Sequence, residues 1–278
     1  MYSQIELLLS TPESREELLR LIKHGLQTGA DFKGLHIDYA HVLLLQADWL
    51  GITQLMPGGT NILEASGWLT SLASGRPVNA RREPIPWLTY PAIDFLDSVV
   101  KSDWLVFEWG AGNSTRWWSK RVHHVYSMES NAEWCDEVKS GLAGNVTLSH
   151  RDRGDEYVDF IGSFEDNSFD VIVIDADHRN NCAKAAVPKL KDNGFIVFDN
   201  SDSADFDEGV SFLCKSGLYR LDFWGLIPSY LYKNCTSVFF RDPEVLRTNQ
   251  LPSRHESSVG MSCAQACSRP QENEGVNS

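Results

Sequence analysis

Apolar and polar positions alternate along the chain with two different periods. Between Trp104 and Arg241, apolar runs of strand length are separated by segments whose apolar residues recur every three or four positions, as in amphipathic helices. Strands that alternate with helices predict a parallel, doubly wound α/β sheet with ligands at the carboxyl ends of its strands. The predicted strands cover residues 104–109, 124–129, 146–149, 169–175 and 194–199.

The pattern changes at the end of this region. Two strand-like runs, 218–227 and 235–241, are joined without a helix long enough to cross over the sheet, so we expect them to pair antiparallel. The predicted fold is therefore α/β, a doubly wound and mostly parallel seven-stranded sheet that is closed by an antiparallel hairpin.

Two regions flank this predicted sheet. Helical periodicity covers most of the first 74 residues and stops near Gly75 and Pro77. We interpret residues 1–83 as a helical N-terminal region, either a cap or the contact surface of a homo-oligomer, and residues 84–242 as the α/β domain. Residues 243–278 are rich in Ser, Asn, Gln and Glu, which predicts a disordered tail.

The composition and net charge of the chain limit the classes of molecule that it is expected to bind. The chain has 278 residues, 42% of them hydrophobic, and a formal net charge of −13. Nucleic acids and anionic membranes are bound by clustered Lys and Arg, so we expect neither partner and favour a small-molecule or protein substrate. The sequence shows no signal peptide or membrane span, and its six cysteines lack CxxC spacing. We therefore expect a cytoplasmic protein with reduced thiols.

A glycine-containing loop carries the strongest chemical signal. The stretch VFEWGAGNST (106–115) is a predicted strand that runs into two glycines one residue apart. Gly110 can turn the chain sharply, and Gly112 lets a ligand approach the backbone closely. Asn113 and Ser114 follow at the start of the next helix, where backbone amides face a bound cofactor.

Two acids frame this loop. Glu129 ends the next predicted strand, where a carboxylate can accept hydrogen bonds from ribose hydroxyls. Glu108 precedes the first glycine by two residues; its charge would repel a pyrophosphate but suits a cofactor with an ammonium group and a sulfonium. Thr115 stands where dinucleotide-binding loops have their third glycine. These features favour S-adenosylmethionine over a dinucleotide.

On these residues the chain resembles the class I S-adenosylmethionine-dependent methyltransferases. Their first motif is an acid, any residue and Gly-x-Gly, and an acid ends their second strand. The resemblance covers roughly residues 84–241 and implies a methyltransferase domain at 84–242 that uses S-adenosylmethionine. The implied cofactor-binding residues are Glu108, Gly110, Gly112, Asn113, Ser114 and Glu129.

Polar clusters follow two further strands: DADHR begins at Asp175, and DNSD begins at Asp199. In a doubly wound sheet these ends lie side by side, so Asp175, Asp199 and Asn200 could offer three oxygen ligands to Mg²⁺. The arrangement resembles the cation-dependent O-methyltransferases, in which a lysine acts as base. His178 stands at the lysine position, so Asp175 and His178 are the implied catalytic residues. The alternative is that these acids cap helices or contact cofactor and acceptor without a metal.

The expected function is methyl transfer from S-adenosylmethionine to a small molecule, with oxygen as the expected acceptor atom. One alternative is an NAD-dependent oxidoreductase, which Glu108, the missing third glycine and the terminal hairpin disfavour. The other is a non-catalytic, methyltransferase-like interaction module, in which the N-terminal helices would bind a partner. Retention of both cofactor acids argues against that module.

Overall fold

The computed structural model describes residues 62–230, 232–246 and 259. The N-terminal helices predicted before Ile62 and most of the predicted tail lie outside these residues. Seven strands form one sheet in the order β3-β2-β1-β4-β5-β7-β6. The strands are β1 (Leu105–Trp109), β2 (His124–Glu129), β3 (Val146–His150), β4 (Phe169–Ile174), β5 (Leu190–Asp199), β6 (Tyr219–Gly225) and β7 (Asn234–Phe240).

Strand direction confirms the predicted fold class. Strands β1 to β5 pair parallel, whereas β7 pairs antiparallel with both β5 and β6. The closing hairpin therefore forms as its two uninterrupted apolar runs predict. Because β7 runs opposite to β5, the start of β7 lies beside the carboxyl end of β5, where Asp199 pairs with Thr236.

Helices cover both faces of the sheet. Residues predicted to form one helix before Gly75 form two short ones, because Gly67 between them has a left-handed φ of 81° and packs against the backbone of Asn79. The helices are α1 (Ile62–Ala65), α2 (Trp68–Ser74), α3 (Tyr90–Val99), α4 (Asn113–Ser119), α5 (Ala132–Lys139), α6 (Asp155–Asp159), α7 (Arg179–Ala186) and α8 (Asp207–Lys215).

Strand β4 shows how the core is divided. All six of its residues are buried, as expected for a central strand covered on both faces. Val171 and Val173 face a cluster that includes α3 and α4, whereas Ile172 and Ile174 face a cluster that includes α6, α7 and α8. Alternate side chains point to opposite faces of a strand, so one apolar run supplies both cores.

The described flanking residues pack on this sheet. The Trp68 indole donates a hydrogen bond to the Tyr230 carbonyl at 3.0 Å, and the Asn113 amide donates one to the Pro77 carbonyl at 2.7 Å. Leu246 and Val259 contact the cluster on the α3 and α4 face. At these two positions the tail predicted to be disordered contacts the core, and the boundary at residue 84 stays a prediction.

The described residues also bear on two expectations from composition. Cys135, Cys182 and Cys235 are buried free thiols, whereas Cys214 is an exposed one rather than a core residue. None of the helices in the described ranges combines the length and the apolar character that crossing a bilayer requires.

Candidate active site

The carboxyl ends of β1, β2, β4 and β5 bring the predicted site residues to one edge of the sheet. Glu108 near the end of β1 pairs in register with Ser127 of β2, and Trp109 pairs with Ile174 at the end of β4. The Asp175 amide then donates to the Trp109 carbonyl at 3.2 Å. The glycine loop therefore lies between the loops that follow β2 and β4.

The two glycines of the loop have different surroundings. Gly110 has a φ of 97°, and a Cβ added to it would come within 2.2 Å of the Asp175 carbonyl oxygen. At Gly112 the backbone is extended, and a Cβ would meet only the Trp134 ring, at 3.7 Å. The turn therefore requires glycine at position 110, while the Cβ position of Gly112 is bordered by the Trp134 ring alone among the described residues.

Glu108 organises this loop from beneath. Its side chain is fully buried and accepts hydrogen bonds from the hydroxyls of Ser114 at 3.0 Å, Ser127 at 2.8 Å and Thr115. Burial raises the pKa of Glu108 to about 7, and the hydroxyl donors oppose that rise. These hydrogen bonds tie Glu108 to the first turn of α4, a connection that the sequence did not reveal, and a direct contact of Glu108 with the cofactor stays a prediction.

Glu129 at the end of β2 binds the backbone of two loops, the glycine loop after β1 and the loop after β2. Its two carboxylate oxygens accept from the Ala111 amide at 3.1 Å and from the Asn131 amide at 2.7 Å. The residue retains 8% exposure. A carboxylate has about four acceptor positions, so lone pairs remain for the hydroxyl groups of a ribose.

The first turn of α4 completes the loop. The Thr115 hydroxyl accepts from the Gly112 amide at 2.9 Å, which fixes the start of the helix. Asn113 turns its amide to Pro77, and Ser114 bonds to Glu108. The side chains of Asn113 and Ser114 therefore hold the loop in place, and a direct contact of either with the cofactor stays a prediction.

Trp134 is a contact of this loop that the sequence reading missed. Its indole donates to the Ala111 carbonyl at 2.7 Å, and its ring packs beside Gly112. Trp134 lies in the first turn of α5, five residues after Glu129. An aromatic residue at that position belongs to no distinctive sequence motif. The signal was therefore too general to single it out.

Asp175 and His178 both lie in the loop after β4, but their side chains differ in contacts and exposure. Asp175 is bound by the Arg179 guanidinium, with 2.6 Å between Nη2 and Oδ1. His178 is exposed and has a left-handed φ of 59° at the start of α7. Asp175 is therefore engaged in an ion pair, while the imidazole of His178 is accessible.

Asp199 ends β5 almost completely buried. The Thr236 hydroxyl donates to its carboxylate at 2.6 Å, and Thr236 accepts in turn from the Thr89 amide at 3.1 Å. Burial, followed by the charge of Asp175, raises the pKa of Asp199 to about 8, while Arg179 acts against the rise. Asp175, Asp199 and Arg179 thus form one electrostatically coupled group.

The predicted magnesium ligands do not fit a resident cation as they are arranged. Among the residues that the structure describes, no group of three or more His, Cys, Asp and Glu side chains is placed to hold a metal ion. Asn200 adjoins Asp199, but Asp175 already binds the Arg179 guanidinium. A fixed positive charge at that distance repels a divalent cation.

An aromatic wall, formed by Trp87, Tyr230 and Tyr232, lies near the end of β5. The Trp87 and Tyr230 rings are 5.9 Å apart, and those of Tyr230 and Tyr232 are 5.1 Å apart. Trp87 lies two residues before Thr89, whose amide binds the Thr236 hydroxyl that donates to Asp199, so this wall lies near the end of β5. Burial, followed by the charges of Tyr230 and Asp199, raises the pKa of Tyr232. The sequence reading gave these residues no role, because they lie in segments far apart along the chain.

Comparison with known proteins agrees with this geometry. Residues 107–201 match the family model of a methyltransferase domain. That match runs from the glycine loop through Asp175 to the residues after β5, and the sheet closes with the antiparallel hairpin that the resemblance implies. The chain contains a methyltransferase domain. The protein is therefore an enzyme, a methyltransferase.

Solved structures similar to this methyltransferase include a putative O-methyltransferase from Klebsiella pneumoniae, with 18% identity over 70% of this chain and 96% of that one, and a TM-score of 0.45. Another is precorrin-6y C5,15-methyltransferase from Geobacter metallireducens, with 17% identity, coverage of 55% and 87%, and a TM-score of 0.44. A spermidine synthase from Thermotoga maritima has 14% identity, coverage of 56% and 61%, and a TM-score of 0.44. No curated protein matches the sequence.

The methyltransferase family implies S-adenosylmethionine, and the loop fits it. The Cβ position of Gly112 meets only the Trp134 ring among the described residues, the Glu129 carboxylate has acceptor positions left, and the fully buried Glu108 adds negative charge beneath the loop when it is ionised. These three features suit a ligand that carries both ribose hydroxyls and positive charge.

Proposed function

We propose that this methyltransferase methylates a hydroxyl oxygen of a small organic molecule, which binds between the aromatic wall and the loop after β4. The observation that carries the proposal is the position of the wall. Trp87, Tyr230 and Tyr232 stand near the end of β5, at the edge of the sheet that also holds the glycine loop. Aromatic faces in contact with one another form a surface suited to a flat organic molecule.

Two anchors fix the wall. The Trp87 indole donates to the Pro228 carbonyl at 2.9 Å, and the Trp68 indole donates to the Tyr230 carbonyl. The loop between β6 and β7 is thereby attached to the segments that precede α3. A fixed wall orients an acceptor before reaction, which is the main contribution a protein makes to methyl transfer.

The chemistry requires little beyond this orientation. Bound S-adenosylmethionine supplies an electrophilic methyl group on a sulfonium sulfur. We propose that the His178 imidazole takes the proton from the acceptor hydroxyl as the oxygen forms its bond to the methyl carbon and the carbon–sulfur bond breaks, its electron pair going to sulfur. Asp175, bound to Arg179, is less available as a base and serves to fix the rim of the site.

A binding experiment separates this function from the two alternatives. Purified full-length protein is titrated calorimetrically with S-adenosylmethionine, S-adenosylhomocysteine and NAD. Binding of the first two supports the proposal, whereas binding of NAD alone would establish the oxidoreductase reading. Failure to bind any of the three would favour the interaction module.

The acceptor is then identified by transfer of a radiolabelled methyl group to a panel of phenols, aliphatic alcohols, amines, RNA and protein. Label on a small hydroxylated molecule supports the proposal, and label confined to nitrogen, RNA or protein rejects it. The same assay with and without EDTA distinguishes a site that uses Mg²⁺ at Asp175, Asp199 and Asn200 from one that needs no metal.

We further propose that the enzyme is cytoplasmic and forms a homo-oligomer through its N-terminal region. The four cysteines within the described residues are free thiols, which suits a reducing compartment. The N-terminal segment has the periodicity of amphipathic helices, which need a partner surface for their apolar faces. Light scattering on the full chain tests the assembly: a monomeric mass would remove it.

A further inference from the structure

We propose that Arg179 is the resident cation of the acceptor site: its guanidinium, held between Asp175 and the Phe206 ring, supplies the positive charge that a divalent cation would otherwise provide beside Asp199. The inference deepens the proposed function and rests on it. Arg179 is in this proposal a positioning residue, which acts through the carboxylates of Asp175 and Asp199.

Contacts of the guanidinium on two sides support this assignment. Arg179 Nη2 lies 2.6 Å from Asp175 Oδ1, and Arg179 Cζ lies 4.6 Å from the centre of the Phe206 ring. The Phe206 ring in turn packs edge-on against Phe198 of β5, with 6.1 Å between centroids. An ion pair on one side and an aromatic face on the other leave the cation little freedom to move.

Burial strengthens the effect of this charge. The Arg179 side chain is 11% exposed, and its Nε atom has neither solvent contact nor a hydrogen-bond partner among the described residues. Charges that are poorly solvated interact more strongly than charges in water. An arginine also keeps its proton throughout the physiological pH range, so the positive charge is permanent.

The need for a cation follows from the neighbouring strand ends. Asp175 follows β4 and Asp199 ends β5, and these two strands pair directly in the sheet. When both are ionised, two carboxylates at adjacent strand ends repel each other, and they would also repel the negative charge that develops on an acceptor oxygen as it loses its proton. A guanidinium that neutralises one of them removes most of this repulsion, as a bound metal would.

Manganese binding tests the proposal without knowledge of the acceptor. We expect wild-type protein to bind no Mn²⁺ at this site, as monitored by electron paramagnetic resonance. Replacing the guanidinium with a neutral chain of similar length in Arg179→Met frees the carboxylates, and we expect Mn²⁺ affinity to rise by about a hundredfold. Adding Asp199→Asn to that variant should abolish the gain, and Arg179→Lys should remain metal-free.

Lys184→Met is the matched control. It removes another cation of the same helix, whose ion pair with Glu208 is exposed, and it should leave Mn²⁺ binding at the wild-type level. Wild-type binding of Mn²⁺ that Asp199→Asn abolishes would overturn the proposal. So would an Arg179→Met protein that folds, as shown by its circular dichroism, and stays metal-free.

Turnover with an acceptor found in the methyl-transfer screen adds a second test. We expect Arg179→Met to lower kcat on the order of a hundredfold, with partial recovery in Arg179→Lys and an unchanged Kd for S-adenosylhomocysteine. A wild-type kcat in Arg179→Met would reject the assignment. Failure of wild-type protein to bind S-adenosylhomocysteine would instead reject the proposed function, so the two failures are distinguishable.

Discussion

The Asp175 carbonyl oxygen occupies the space into which a side chain on Gly110 would project, 2.2 Å from a Cβ built there. The glycine loop and the loop after β4 are thus in direct backbone contact. This contact places the glycine loop directly against the loop on the proposed acceptor side of the site.

Alanine substitutions at the two glycines should therefore have different effects. Gly110→Ala meets both a backbone clash and a φ of 97°, so we expect it to lose at least about 2 kcal/mol of unfolding free energy. Gly112→Ala meets only the Trp134 ring at 3.7 Å and should fold normally while binding S-adenosylhomocysteine more weakly. Chemical denaturation and calorimetry measure the two effects. Normal cofactor affinity in Gly112→Ala would place the ligand elsewhere.

Glu129→Gln should weaken the cofactor complex without unfolding the protein. The substitution keeps an acceptor for one backbone amide but removes the charge-assisted hydrogen bonds expected with ribose hydroxyls, so the Kd for S-adenosylhomocysteine should rise about 10- to 100-fold. Glu133→Gln, at an exposed position in the first turn of α5, is the control. Equal affinities in the two variants would contradict a role for Glu129.

The stability of the ligand-free protein should depend on pH through Glu108. Its pKa is raised from 4.5 to about 7, so the stability associated with the neutral acid is complete below pH 4.5 and is lost as pH rises through about 7. Glu108→Gln removes this dependence. Relative to the variant, wild-type protein should lose up to about 3 kcal/mol between pH 4.5 and about pH 8. Parallel unfolding curves of the two proteins across this range would show that Glu108 stays ionised.

His178→Asn tests the proposed base while preserving the backbone, because asparagine tolerates the left-handed conformation found at this position. We expect kcat to fall by about a hundredfold or more with the Kd for S-adenosylhomocysteine unchanged. His123→Asn, which precedes β2 at the opposite edge of the sheet, should retain wild-type turnover. If His178→Asn also turns over at the wild-type rate, the base is another group.

Tyr232→Ala should affect the acceptor and not the cofactor. Tyr232 is 51% exposed, so its removal should cost little stability, and we expect the KM for an aromatic acceptor to rise about three- to tenfold through lost ring contact. Tyr219, which is 55% exposed at the far end of β6, supplies the matched control as Tyr219→Ala. A KM that responds equally to both substitutions would exclude the wall as an acceptor surface.

Much of the fold could be predicted because each strand carries its own signal. The run that becomes β4 is apolar at nearly every position and is bounded by polar residues, so its length and burial follow directly from the sequence. Glu108 near the end of β1, Glu129 at the end of β2 and the glycines between them have fixed positions along the chain. These patterns lie within short stretches of sequence, so both the sheet and the cofactor loop could be predicted from them.

The remaining features depend on contacts between distant segments. The donors to Glu108 include Ser127 of the neighbouring strand, and the Trp87 indole reaches the carbonyl of Pro228, 141 positions away. The pairing of Asp175 with Arg179 is local, but its effect on Asp199 arises only when β4 and β5 lie side by side. Contacts between residues distant in sequence leave no periodic pattern. The acceptor side of the site was therefore predicted less completely than the cofactor side.

The loop between β6 and β7 is attached through main-chain atoms. The indoles of Trp68 and Trp87 bind the carbonyl oxygens of Tyr230 and Pro228, which every amino acid provides. Side chains in this loop can consequently be exchanged while the two attachments persist. Libraries randomised at positions 230 and 232 would then be a direct route to altered acceptor choice, with the cofactor half of the enzyme left intact.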